Sequence, residues 1–159
     1  ILKREVPPAD ARFLAMVTEG RLGEALTMDL ADQRERQREC LDLIAPKTLR
    51  SVTAILSAAE QFAKADRGTE ILTWLSRWIR DLVLVLVGGD REALLHLDHL
   101  PQLEHYAQQA DLTMLLDLLR EIERTEQGAT RHLNLHMALE TCLLRLRDAL
   151  QLGPATIPA

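Results

Sequence analysis

Hydrophobic residues recur through most of the chain at intervals of three and four, the spacing that gathers them on one face of an α-helix. The clearest example covers residues 69–87, where polar residues occupy the opposite side. Its apolar stripe contains Ile71, Leu75, Trp78, Leu82 and Val85. Further stripes of this kind predict an all-α fold, a helical bundle of about seven or eight helices.

Proline, glycine and capping side chains indicate where these helices begin and end, because capping side chains accept the free N–H groups of a first turn. Gly68 is expected to break the chain, and Thr69 is expected to cap the long helix. Pro46 is expected to end an earlier helix, whose apolar stripe contains Leu41 and Ile44. Another predicted helix covers residues 48–62, with Leu49, Val52, Leu56 and Ala59 in register. A further one is capped by Asp111 and has Leu112, Leu115, Leu116, Leu119 and Ile122 on one face.

The end of the long helix differs from its beginning, because residues 82–87 (Leu-Val-Leu-Val-Leu-Val) are apolar on every side. A run of this kind also suits a buried strand, but the helical register before it and the lack of a second strand favour a helix. A helix end that is apolar all round is either buried or covered by a partner. Leu84 and Val87 are therefore candidates for an interface with another protein chain.

The last helix, which Asn134 should cap and which should extend to about Gln151, also has apolar residues on two sides. One continuous face is expected to meet the core and contains Leu135, Ala138, Leu139, Cys142, Leu146 and Leu150. Met137 and Leu144 lie almost opposite that face. Either another helix of the chain covers them, or they are isolated exposed residues, or they form part of an interface with another protein chain.

Composition and charge narrow the possible partners. Hydrophobic residues make up 47% of the 159 residues but aromatic residues only 3%, which suits helices better than strands. A net charge of −5 argues against direct nucleic-acid binding. Cys40 and Cys142 are expected to be reduced core thiols of a cytoplasmic protein, and no apolar run is long enough to span a membrane. The first residue is Ile1 rather than Met, as expected of a piece of a longer protein.

The chain offers little that resembles catalytic chemistry. His96, Asp98 and His99 stand close together, but a metal site would need a fourth ligand that the sequence does not indicate, so a polar surface turn is favoured. Phosphate-binding loops, nucleophile elbows and paired metal-binding histidines are not found. We therefore predict no catalytic, cofactor or metal residues and no small-molecule substrate.

Several segments of the chain look like sequence patterns of one protein family. Residues 134–146 (Asn-Leu-His-Met-Ala-Leu-Glu-Thr-Cys-Leu-Leu-Arg-Leu) look like the family's Asn-x-x-Leu-Ala-Leu-Glu-x-Leu-Leu-x-Arg-Leu pattern. Residues 74–83, which contain Arg-Asp-Leu and precede two glycines, are similar to its long helix. Residues 97–98 (Leu-Asp) stand where this family commonly has Asn-x-Asp, and residues 19–26 look like the Gly-Ser-x-x-x-Ala-Leu segment of its lid domain. Together these segments resemble bacterial replicative clamp-loader subunits, and delta-prime subunits most strongly.

This resemblance implies a specific organisation and role. Residues 1–31 would be the tail of the AAA+ lid domain, and residues 32–159 the helical collar domain. In this family the collars of several subunits pack into a ring, and the delta-prime subunit lacks ATPase activity. The implied partners are the gamma/tau and delta subunits of DNA polymerase III, with ATP hydrolysis and DNA contact belonging to parts of the family outside this chain.

Two alternatives remain open. The gamma/tau collar has a similar last helix, although Gly23 stands where those ATPases carry an arginine, which favours delta-prime. A different class is the ligand-binding and dimerisation domain of a transcriptional regulator, in which Trp74 and Trp78 would line an apolar pocket.

Overall fold

The chain folds into helices joined by short turns, and the computed structural model describes residues 7–128 and 134–153. Within the described residues the α-helices are α1 (Pro8–Val17), α2 (Leu22–Thr27), α3 (Leu30–Leu43), α4 (Pro46–Leu49), α5 (Val52–Lys64), α6 (Gly68–Leu86), α7 (Leu100–Ala107), α8 (Leu112–Gly128) and α9 (Leu135–Ala149). Two 3₁₀ turns, Arg91–Ala93 and Leu97–His99, lie between α6 and α7. The described residues contain no strand, so the all-α prediction is confirmed.

Backbone contacts divide the chain into two units, Ile1–Glu39 and Cys40–Ala159. In the first unit, Phe13 of α1 is buried and the guanidinium of Arg34 lies 5.0 Å above its ring. Arg34 also pairs with Asp10, and Arg36 pairs with Asp32 at 2.9 Å. The assignment of residues 1–31 to a lid domain and of residues 32–159 to a collar stays a prediction.

The second unit is built around α6. Helices α5, α7, α8 and α9 all contact it, α9 packs along both α5 and α8, and α4 contacts α5 and α9. The N–H of Asp111, before α8, donates to the carbonyl of Ala149 at the end of α9, so these two helices run antiparallel. The shared core contains Ile44, Leu49, Ile55, Ile71, Leu75, Trp78, Leu82, Leu103, Leu115, Leu139, Leu143 and Leu146, all fully buried.

Several predicted helix ends are correct and others are not. Asp111 accepts the N–H of Met114 at 2.9 Å, and Asn134 accepts that of Met137 at 3.3 Å, which confirms both caps. The helix predicted over residues 48–62 is divided, because Pro46 opens α4 and Ser51 caps α5. A proline at the first position of a helix loses no hydrogen bond, so it can begin a helix as well as follow one.

The start of α6 also differs from the prediction. Thr69 lies inside the helix, which begins at Gly68 after an N-cap residue, Arg67, that makes no side-chain cap bond. Gly68 is buried, and a Cβ at this position would stand 3.1 Å from the Cβ of Leu135 in α9. The glycine therefore permits close packing of two helices rather than breaking one.

The predicted buried faces of α5 and α8 are partly correct, because Ala59, Leu115 and Ile122 are buried as predicted. Val52, Leu56 and Leu116 are exposed, whereas Ile55 and Leu118 are buried. Apolar residues spaced by three and four can form two overlapping stripes, and the positions of neighbouring helices decide which one meets the core.

Candidate functional site

Helix α9 has a fully buried face and an opposite face that the described chain leaves open. Leu139, Leu143 and Leu146 are completely buried. Met137, seven residues before Leu144 and on the other side of the helix, is 61% exposed. A single exposed apolar side chain is ordinary, whereas a contiguous apolar surface marks a binding site, so the surroundings of Met137 decide what its exposure signifies.

The two predicted interface residues of α9 are not equivalent. Leu144 is partly buried and packs against the core, in contrast to Met137. Leu143, which is not part of the predicted core face, is completely buried. The core face of α9 is therefore wider than expected on that side, and the exposed apolar surface of the helix is centred on Met137.

The end of α6 likewise separates into covered and uncovered residues. Leu82 is completely buried, and Val83, Val85 and Leu86 pack partly against the core. Leu84 is partly buried, but Val87 is 56% exposed. Other residues of the chain therefore cover most of the apolar run 82–87, and its last residue, Val87, is exposed.

Two glycines fix the backbone conformation directly after Val87. Gly88 adopts a φ of +70°, and the N–H of Gly89 donates to the carbonyl of Leu84 at 2.8 Å. The N–H of Gly88 donates to the carbonyl of Val85 at 3.2 Å, which completes a Schellman motif. Because a side chain is strained at this φ, glycine at position 88 fixes how Val87 is presented.

A groove of about 310 Å³ lies beside Met137, where α6, α8 and α9 meet. Its polar residues are Glu121, Thr125, Asn134 and Thr141. Its apolar lining consists of Leu72, Leu118, Ile122, Met137, Ala138 and Cys142. We call this depression the apolar groove.

Cys142, in the lining of the apolar groove, is a neutral thiol. Burial is the main cause that raises the pKa of Cys142 to about 12, and the carboxylate of Glu121 adds to it while Arg145 acts in the opposite direction. Both cysteines are buried and neither forms a disulfide, as expected. A thiol with this pKa is a packing group rather than a nucleophile.

A second depression, of about 490 Å³, adjoins the groove and is lined entirely by charged residues. These are Asp117, Arg120, Glu121, Arg124 and Arg145. Arg120 pairs with Asp117 at 2.8 Å, and Arg145 of α9 pairs with Glu121 of α8. Glu121 lines both depressions, so we treat the charged depression and the apolar groove as one continuous surface.

His96 and Asp81 form a buried polar pair on the other side of α6. The Asp81 carboxylate accepts the backbone N–H of His96 at 2.7 Å and lies 2.9 Å from its Nδ1. Because an ionised carboxylate can only accept, Nδ1 carries the proton in this contact. Arg80 reaches the other carboxylate oxygen at 3.1 Å and the carbonyl of Ala93 at 3.3 Å. Asp81 thus ties the segment between α6 and α7 to α6.

The predicted polar surface turn around His96 is therefore wrong for that residue, which is buried, and correct for Asp98, which is exposed. His99 is half-buried, and desolvation is the main cause that lowers its pKa, with His96 adding to the effect and Asp98 opposing it. Among residues 7–128 and 134–153, no group of three histidine, cysteine or acidic side chains is arranged to hold a metal ion.

The two tryptophans fill space rather than line either depression. Trp74 and Trp78 stack with ring centroids 5.4 Å apart, and the ring of His96 meets both edge-on at 5.5 Å and 5.2 Å. Trp78 is completely buried. Neither residue borders the apolar groove or the charged depression.

Comparison with known families identifies the chain. A family model described as DNA polymerase III, delta subunit, C terminal, matches residues 29–148. The chain belongs to this family. No match is found among curated proteins or among solved structures.

Membership of this family makes the chain the carboxyl-terminal part of a clamp-loader protein of DNA polymerase III. The matched region contains the four predicted interface residues, both depressions and the Asp81–His96 pair. In the described part of the domain, no helix is long and apolar enough to cross a membrane.

The sequence indicates some of these features and not others. Its pattern singles out Met137 and Val87, but neither the exposed Met114 nor the buried Asp81–His96 pair. Burial of Asp81 could have been suspected from the sequence, because this residue directly precedes Leu82 of the core stripe. The rest of that side of the helix is buried. A charged residue in such a position requires a hydrogen-bonding partner.

Proposed function

We propose that this chain is the collar domain of a delta-prime subunit and that it holds a bacterial clamp-loader ring together by binding the collars of the gamma/tau and delta subunits. The role is assembly rather than catalysis, in the cytoplasm and without direct contact with nucleic acid. The observation that carries the proposal is the exposure of Met137, opposite a fully buried face and within the family-matched region.

Two features favour delta-prime over the other subunits. The pattern of residues 134–146 resembles the last helix of delta-prime collars, and Gly23 replaces the arginine that is typical of gamma/tau at this position. The open apolar residues are consistent with an interface between collars, because interface cores are enriched in methionine and aromatic side chains that a partner desolvates. Leu84 and Leu144, which are partly buried, would border this interface rather than form its centre.

The test is co-purification with the gamma/tau and delta subunits of the same species, using Met137→Asp and Val87→Asp. Both positions are exposed, so the variants should fold, as checked by circular dichroism and urea unfolding. We expect each to weaken binding by about tenfold or more, because a desolvated carboxylate opposes association. Met114→Asp is the matched control, since Met114 is an exposed methionine of α8 outside the predicted interface.

Equal co-purification of Met137→Asp, Val87→Asp and the unmodified chain would contradict the assembly role at these positions. The assignment to delta-prime is tested separately by competition. Purified delta-prime should displace the chain from a complex with gamma/tau and delta, because both would occupy the same place. Displacement by delta or gamma/tau alone would instead assign the chain to that type.

A further inference from the structure

The apolar groove and the charged depression together form a surface with two chemical parts. The groove offers buried aliphatic side chains, including Leu118 and Ile122, beneath the exposed Met137. Its volume is at the lower end of the ~300–1,000 Å³ that binding pockets usually have. It is partly open to solvent, which suits part of a chain better than an enclosed small molecule.

The charged depression has an excess of positive charge. Three guanidinium groups, on Arg120, Arg124 and Arg145, face two carboxylates, on Asp117 and Glu121. Two ion pairs engage both carboxylates, and Arg124 has no carboxylate partner among the described residues. This local excess occurs in a chain whose net charge is −5, and it favours an anionic group of a partner.

A carboxylate suits this depression better than a phosphate. Asp117 and Glu121 would repel a dianion, whereas a single carboxylate can accept two parallel hydrogen bonds from the guanidinium of Arg124. Nucleic acid would also gain nothing from the adjoining apolar groove. The two parts therefore favour a protein segment in which one large apolar side chain lies close to an acidic one.

We propose that this surface binds a short acidic, amphipathic segment of a partner protein. Its Leu, Met or Phe side chain enters the apolar groove against Leu118, Ile122 and Met137. An Asp or Glu within about one helical turn of that side chain pairs with Arg124. This inference rests on the proposed assembly role and deepens it, because Met137 belongs to both surfaces, and it names the chemistry of the partner.

The probe is a phage-displayed library of random peptides, each about 12 residues long, selected against the immobilised chain. Selected peptides should combine an acidic residue with a large apolar residue about one to four positions away. Their dissociation constants are then measured by fluorescence anisotropy with two variants, Arg124→Glu and Thr141→Trp. Thr141 is exposed and lines the groove, so the tryptophan should block the groove without altering the core.

We expect both variants to weaken peptide binding by about tenfold or more, the usual effect of losing a central anchor. Arg50→Glu is the matched control, since Arg50 is an exposed arginine at the end of α4 that lines neither depression. It makes the same charge change and should leave the dissociation constant within about twofold.

Three results would overturn the proposal: no enrichment of peptides, enrichment without acidic residues, or equal binding to the Arg124→Glu and Arg50→Glu variants. These results are independent of ring assembly, because the peptide is measured on the chain alone. Failure of the proposed function would appear instead as normal co-purification of Met137→Asp and Val87→Asp with the other loader proteins.

Discussion

Helices α6 and α9 both carry apolar residues on more than one side, but the protein covers them differently. In α6, Ile71, Leu72, Leu75, Trp78, Ile79 and Leu82 are all buried. They occupy a broad face of the helix, because α5, α7, α8 and α9 all contact it. In α9, Met137 stays exposed opposite the buried Leu139 and Leu143.

The difference shows what a two-sided apolar pattern can and cannot indicate. It favours burial of both sides of a helix, because exposed apolar surface is costly, but single exposed apolar residues also occur. It does not indicate whether the cover comes from the same chain or from another one. In α6, other helices of the same chain cover the apolar residues almost to the end of the helix, where Val87 is exposed. In α9, the groove beside Met137 is open.

The polar groups of the two regions differ in the same way. Beside α6, the Asp81 carboxylate is completely buried and its hydrogen bonds go to His96 and Arg80. Beside α9, the charged depression is open to solvent, and Arg124 has no carboxylate partner in the described part of the chain. The enclosed, hydrogen-bonded carboxylate of Asp81 indicates a structural role, whereas the accessible guanidinium of Arg124 is free to bind a partner.

The largest expected effect comes from removing the enclosed aromatic ring of α6. Trp78→Ala should lower the free energy of unfolding by about 3–5 kcal/mol, because it leaves a cavity among fully packed neighbours. Urea unfolding followed by circular dichroism measures the change. Met137→Ala is the comparison and should change stability by less than about 0.5 kcal/mol. Similar losses in the two variants would remove the distinction between an enclosed α6 and an open α9.

The next effect concerns the buried carboxylate. Asp81→Ala leaves the backbone N–H and the Nδ1–H of His96 without their acceptor, so we expect a loss of about 2–3 kcal/mol in the free energy of unfolding. Tryptophan fluorescence should also change, because the His96 ring contacts both Trp74 and Trp78. Asp98→Ala is the matched control, since Asp98 is an exposed aspartate near the same turn. If the two variants are equally stable, Asp81 does not hold this segment in place.

Much of the fold follows from sequence pattern alone, because helical periodicity and caps are local. The caps at Asp111 and Asn134 are predictable, since an N-cap bond involves residues only three apart. The role of Gly68 is not, because it depends on Leu135, which is close in space but far along the chain. Local signals cannot distinguish a glycine that breaks a helix from one that admits a neighbour.

The candidate site is only partly predictable for a related reason. Helical geometry is enough to single out Met137 and Val87, but Leu144 faces the same way in the pattern and is partly buried. The charged depression depends on Arg145 of α9 reaching Glu121 of α8, and no motif links these residues. Tertiary placement decides exposure and charge pairing, and periodicity determines only which residues share a face.

The smallest expected effect tests whether water is excluded from the lining of the apolar groove. Burial raises the pKa of Cys142 to about 12 from an ordinary value of 9.0. The folded state therefore favours the neutral thiol, and the unfolded chain loses its proton first as pH rises. Stability should be almost unaffected below pH ~9 and should fall above it, by about 1 kcal/mol at pH ~10 for this one group.

Cys142→Val isolates this contribution, because valine cannot ionise and has a similar size. The burial of Tyr106 raises its pKa as well, but that effect is common to both proteins and cancels in their difference. The stability difference between the two proteins, measured by urea unfolding at pH ~7 and ~10, should shift by about 1 kcal/mol in favour of the valine variant. An unchanged difference would mean that water reaches the thiol through the groove. In that case the groove lining would already be hydrated, and an apolar side chain entering it would have to displace that water from around the thiol.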